Sequence, residues 1–178
     1  MSTGRSILLV GAVALLAGCG GKEAAKEEQE APALKRGTVS GRFLVCIIDV
    51  SASMKHYDRN RYAEQGAQLA VALLRKSTSF GAVAFSSGAW VQADISRIMR
   101  HKDRVEAQER LGGIPRQGST NFVGALATAR SLILKRMSSD SNGAVIFLTD
   151  GEPTVGGTTS DVKAEVEFYA KMKWPIYT

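Results

Sequence analysis

Past residue 40 the chain alternates between two hydrophobic periods. RFLVCIIDV, residues 42–50, is a nearly continuous apolar, β-branched run, the pattern of a strand buried on both faces of a parallel sheet. Across 57–76 the spacing changes, and Ala63, Ala67, Ala70, Val71 and Leu74 fall on one helical face. FGAVAFSSGAWV, residues 80–91, predicts a second strand whose Gly-rich end turns into a short third one. Residues 102–111 read as a weak, mostly polar helix around Val105 and Leu111. NFVGALATARSLILKRM reads as a stronger one, with Phe122, Leu126, Ala129, Ile133 and Met137 in register. GAVIFLTDGEP, residues 143–153, is another buried strand, and it stops at a carboxylate, Asp150. A helix over 161–173 follows, with Thr158 and Asp161 at capping-box spacing, and PIYT begins one more strand.

Strands alternating with helices predict right-handed crossovers: an α/β fold with a doubly wound, mostly parallel sheet and helices on both faces. Ligands of such sheets bind outside the carboxyl ends of the strands, where the strand order reverses. Asp49 and Asp150 both lie at such ends, so they share one crevice if their strands are neighbours. No internal repeat is visible. GSTNFVG lacks the Lys of a Walker motif and follows no convincing strand.

The N-terminus has a different texture. A short segment with a single Arg precedes ILLVGAVALLA, an apolar run of eleven residues. Spanning a bilayer takes about twenty residues, so this run suits the core of a secretory signal instead. It ends in LAGC, Leu16 to Cys19, which resembles the bacterial lipoprotein signal, in which the Cys becomes the lipid-bearing first residue. This resemblance implies a signal peptide over 1–18, lipid on Cys19, a tether over 19–40 and a domain over 41–178. GKEAAKEEQEAPALKRG, residues 21–37, is charged, Ala-rich and without apolar periodicity, as a tether would be. Gly20 stands where an Asp commonly signals inner-membrane retention, so the resemblance implies a cell-envelope location, at the outer membrane if the host has one. With Cys19 lipidated, Cys46 has no partner for a disulfide and reads as a small buried hydrophobe.

Composition narrows the function classes. The chain is 44% hydrophobic with a net charge of +6, but its basic residues are scattered and no aromatic-interleaved basic run appears. That is a solvated surface of mixed charge and excludes a nucleic-acid reading.

The chemistry lies in three polar stretches. DVSAS supplies Asp49, Ser51 and Ser53, GSTNF supplies Thr120 at the start of a helix, and FLTDGEP supplies Asp150. Taken singly, Ser51 and Ser53 could only cap the helix after the strand, and Asp150 could only brace a turn through Gly151. Taken together they could form a nest of hard oxygen ligands. In order and context they resemble the metal-ion-dependent adhesion site of the von Willebrand factor A domain, over roughly residues 41–178. The resemblance implies a divalent cation, Mg²⁺ first with Mn²⁺ or Ca²⁺ possible, ligated directly by the hydroxyls of Ser51, Ser53 and Thr120. Asp49 and Asp150 would act through waters and hydrogen bonds. It implies a non-catalytic module for adhesion or protein–protein interaction, taking an Asp or Glu of its partner to the metal.

Two other readings stand beside it: an accessory subunit of a metal-chelatase or AAA-type ATPase assembly, and a metal-dependent hydrolase. The lipoprotein signal argues against the first. The absence of G-x-S-x-G and of a placed His base argues against the second. A phosphoacceptor role for Asp49 would call for an acidic residue where Ser51 stands. His56 and His101 read as surface residues, Trp90 and Trp174 as packing at element ends, and Glu152 as a residue on the rim. A complete domain of this family has a sixth strand and closing helices, so the sequence is expected to be C-terminally incomplete.

Overall fold

The computed structural model describes residue 37 and residues 39–178. The proposed signal, Cys19 and most of the tether lie outside the described residues. Five strands form one sheet in the order β3-β2-β1-β4-β5: β1 (Arg42–Asp49), β2 (Thr78–Phe85), β3 (Ala89–Ile98), β4 (Asn142–Leu148) and β5 (Ile176–Tyr177). All pairings are parallel except that of β2 with β3. The helices are α1 (Met54–Tyr57), α2 (Tyr62–Leu73), α3 (His101–Glu109), α4 (Phe122–Arg136) and α5 (Thr159–Lys171). Among the described residues no helix is long and apolar enough to cross a membrane.

The apolar run of β1 puts it at the centre, between β2 and β4, and its two-residue period divides the core. Phe43, Val45 and Ile47 pack with Leu126, Ala129 and Ile133 of α4 and with Tyr169 of α5. Cys46, Ile48 and Val50 point the other way, onto Ala67 and Val71 of α2 and Ala107 beyond them on α3. The sheet is thus covered on both faces, as the sequence pattern predicts. Burial pushes the Cys46 thiol up to about 12, which suits a packing residue with no redox role. Trp174 is buried edge-on against Phe43, whereas Trp90 lies half-open within β3.

Several boundaries differ from the sequence expectation. The third strand is not short. It runs for 10 residues as an antiparallel partner of β2 around a turn at Ser86–Gly88. Its half-exposed edge position explains why its side chains do not read as a buried run. The helix expected over 57–76 starts at Tyr62, because the Asp58 carboxylate accepts from the backbone N–H groups of Tyr62 (2.6 Å) and Ala63 (3.1 Å). Residues 54–57 form a separate single turn. β4 ends at Leu148, so Asp150 sits in the loop beyond it. α5 begins at Thr159, where Thr158 and Asp161 form the expected capping box.

Candidate metal centre

From β1 the chain proceeds outward to β2 and β3, then returns to the other side of β1 for β4 and β5. The order reverses between β1 and β4, where an open sheet forms its crevice. Ile48 pairs with Leu148, so the segments that leave both strands at their carboxyl ends start side by side. This brings Asp49, Ser51 and Ser53 to Asp150, and the loop before α4 adds Thr120. Ser51, Ser53, Thr120 and Asp150 line one pocket of about 310 Å³, with Asp49 buried beneath it.

Asp49 is fully buried and both its oxygens are engaged. Oδ1 accepts from the Ser51 backbone N–H (2.8 Å), and Oδ2 accepts from the Thr149 hydroxyl (2.7 Å). The Ser53 hydroxyl donates to Asp150 Oδ1 (3.1 Å) and lies 3.0 Å from the Ser51 hydroxyl. Ser53 occupies the position before α1 but makes no side-chain cap there. Gly151 donates its N–H to Thr149 Oγ1 (3.3 Å), so Thr149 receives the turn contact expected of Asp150. Asp150 Oδ2 is buried and has no hydrogen-bond partner. An orphaned buried carboxylate oxygen carries a desolvation cost that a cation or its water would relieve.

Three loops hold this geometry. Thr120 accepts at its carbonyl from Thr154 (2.8 Å) and Val155 (3.2 Å), while its own N–H donates to Thr154 Oγ1 (2.9 Å). Ala52 donates to the Gly118 carbonyl (3.0 Å), Gln117 donates to the Val50 carbonyl (2.8 Å), and Ser119 donates to Ser87 Oγ (2.9 Å). Gly118 has φ +81°, and a Cβ there would stand 2.7 Å from Ser87 Oγ, so the crossing of these loops needs glycine.

Behind them lies an ionic knot that the sequence does not announce. Arg116 is buried, and its guanidinium donates to the Met54 carbonyl (2.7 Å), to the Asp58 carbonyl and to Asp58 Oδ2 (2.9 Å). Buried Glu64 accepts from Arg61 (2.5 Å) and from the Gly113 N–H (3.0 Å), with Arg116 3.7 Å away.

Of the remaining expectations, Glu152 does line the pocket rim, beside exposed Tyr57, and His56 and His101 are exposed. A larger cleft of about 490 Å³ between β3 and α4 is lined by Val91, Ala127 and Leu132 together with Asp94, Thr128, Ser131 and Lys135. There the Asp94 carboxylate is already paired with Arg136, and the Ser131 hydroxyl donates to the Ala127 carbonyl.

The donor set fits a hard cation. Its side chains offer hydroxyl and carboxylate oxygen, the hard donors that Mg²⁺ and Ca²⁺ take, and among the described residues no group of three His, Cys, Asp or Glu side chains gathers as a rival metal site.

The family model described as von Willebrand factor type A domain matches residues 44–152. The calcium-activated chloride channel regulator 1 of Macaca mulatta is 31% identical over 126 residues, 69% of this chain but only 14% of that protein. The solved von Willebrand factor type A protein from Catenulispora acidiphila is 26% identical, with a TM-score of 0.59 over 75% of this chain and 32% of its own. The mussel byssus proximal thread matrix protein 1, solved with a zinc-occupied MIDAS motif, shares the fold at 20% identity and a TM-score of 0.63, over 77% of this chain and 35% of its own. With the family model matching more than half of its length, the chain belongs to the von Willebrand factor type A domain family.

Proposed function

We propose that this chain is a non-catalytic binding module that holds one divalent cation, Mg²⁺ by preference, and recognises a protein partner through an Asp or Glu side chain. Ser51, Ser53 and Thr120 would hold the cation directly, with Asp49 and Asp150 behind them through water and hydrogen bonds. The observation that carries this reading is Asp150. One of its oxygens takes the Ser53 hydroxyl, which would be expected to cap α1, and the other is buried without a partner. Asp49, by contrast, already has donors on both oxygens, which suits a supporting role. Three neutral hydroxyls leave a divalent cation short of negative charge, so when bound it would supply an electrophilic centre for a hard anionic oxygen. The zinc in the mussel thread protein's motif supports the idea that this class of site accepts divalent cations.

Titration calorimetry of Mg²⁺ and Mn²⁺ into the chain tests the reading. Millimolar or tighter binding is expected, weakened about 10–100-fold or lost in Asp49→Ala and weakened in Thr120→Ala. No binding, or equal binding by all three proteins, would return these residues to a purely structural role.

The same proposal includes tethering at the cell envelope through lipid on Cys19, with residues 20–40 as spacer, at the outer membrane where there is one. Fractionation tests it: Cys19→Ser is expected to move the processed chain from the membrane to the soluble fraction, and continued membrane association would overturn the anchor.

A further inference from the structure

We infer that Arg116 is a positioning residue for the candidate metal centre, setting the distance between the loop that carries Ser51 and Ser53 and the loop that carries Thr120. The inference rests on the binding function proposed above and concerns a residue that touches none of the five candidate ligands.

Arg116 stands four positions before Thr120, on the loop between α3 and α4. Its side chain crosses to the other loop and donates to the carbonyl of Met54, the residue next to Ser53, and to the carbonyl and carboxylate of Asp58. These acceptors lie at the two ends of the single turn α1, so one planar guanidinium grips the whole segment that follows the two serines. A four-residue helix has almost no stability of its own, and α1 is not capped by Ser53, so its position depends on such outside contacts. The backbone completes the bracket on the site side, where Gln117 donates to the Val50 carbonyl and Ala52 donates back to the Gly118 carbonyl. The guanidinium is only 8% exposed as a residue, and Asp58 and Glu64 balance its charge within the fold. A group so enclosed is not recruited by solvent or by an incoming ligand, and its fork geometry is available only to fix the two loops together.

The chain also supplies an internal control. Arg104 donates in the same manner to the carbonyls of Val71 (2.8 Å), Ala72 (3.2 Å) and Leu74 (2.6 Å), at the far end of α2. It stabilises a helix end but no part of the oxygen site.

The test is Mn²⁺ titration of the 178-residue chain as wild type, Arg116→Lys and Arg104→Lys, each with a thermal melt in EDTA. A Lys keeps the charge beside Asp58 and Glu64 but cannot span both carbonyls, so the buried acids are not left uncompensated. Both variants are expected to melt somewhat below wild type. Arg116→Lys alone is expected to lose Mn²⁺ affinity, by about 10–100-fold, as supports of ligating residues do. A further variant, Arg116→Met with Asp58→Asn and Glu64→Gln, removes the buried charge altogether and is expected to show the same loss. If wild type binds Mn²⁺ and the folded Arg116 variants bind it equally well, the positioning role is overturned while the metal site stands. If wild type does not bind, both fall together. Equal affinity losses in Arg116→Lys and Arg104→Lys would also overturn it, reducing Arg116 to general stability.

Discussion

Two clusters of carboxylates flank the loop of residues 112–120, and they are built on opposite plans. In the ionic knot, Asp58 and Glu64 are buried with Arg116 among them, and every carboxylate oxygen meets a protein donor or cation. In the oxygen site, Asp49 is similarly closed, but Asp150 keeps one buried oxygen without a partner, and neither Lys nor Arg is among the residues that line the pocket. The knot satisfies its carboxylates from its own chain, although Arg116 Nε is buried there without a partner. On the function proposed above, the open oxygen of Asp150 is the deficit that a cation would make good. The difference is legible in hydrogen bonds, where residue composition alone would class both as acidic pockets.

The strongest way to break that comparison is to remove one member from each cluster and measure urea stability in EDTA. Arg116→Met strands buried Asp58, while Glu64 keeps Arg61, and breaking such a buried pair from one side costs about 3–5 kcal/mol. Asp150→Asn neutralises a carboxylate that is already under-satisfied, and its effect is expected within about 1 kcal/mol of zero, in either direction. Mg²⁺ should then separate wild type from Asp150→Asn. At a hundredfold excess over Kd a specific ligand adds about 2.7 kcal/mol to the folded state. Wild type is expected to gain that amount and Asp150→Asn to gain little of it. If Asp150→Asn destabilises the metal-free chain as much as Arg116→Met does, the oxygen site is a second structural knot and the contrast is lost.

The contrast also explains what was legible in the sequence. β1 and β4 were readable because strands covered on both faces must be apolar at nearly every position, and their burial bears this out for β1. The oxygen residues were readable because each closes such a run or opens a strongly periodic helix. Arg116 was not, since a lone Arg in GGIPRQGST reads as a solvated loop residue, and its carboxylate partner Asp58 lies 58 positions away. Thr149 was hidden in the same way, its bond to Asp49 spanning 100 positions. Capping and strand patterns are local and leave local traces. A buried ion cluster is set by tertiary contact, and its members look individually like surface residues. The length of β3 was hidden for a related reason, because an edge strand half in solvent carries a mixed pattern.

A closed carboxylate on the surface sharpens the same comparison with the smallest effect. Asp161 accepts from the Thr158 N–H (2.7 Å) and hydroxyl (2.8 Å), and these bonds, the backbone one first, hold its carboxyl below the usual value of 3.8. A folded-state pKa lowered in this way contributes stability that is present above the unfolded value. It is lost as pH falls from about 3.8 through the folded pKa. Thr158→Ala deletes the N-cap hydroxyl, a change that costs about 1 kcal/mol at neutral pH. The melting difference between this variant and wild type is therefore expected to narrow as pH drops below 3.8, and to be unaffected by Mg²⁺ at any pH. A closed acid has no use for a cation. If Mg²⁺ alters the Thr158→Ala difference, its stabilising effect does not depend on the deficit at Asp150, and the distinction between closed and open carboxylates loses its functional meaning.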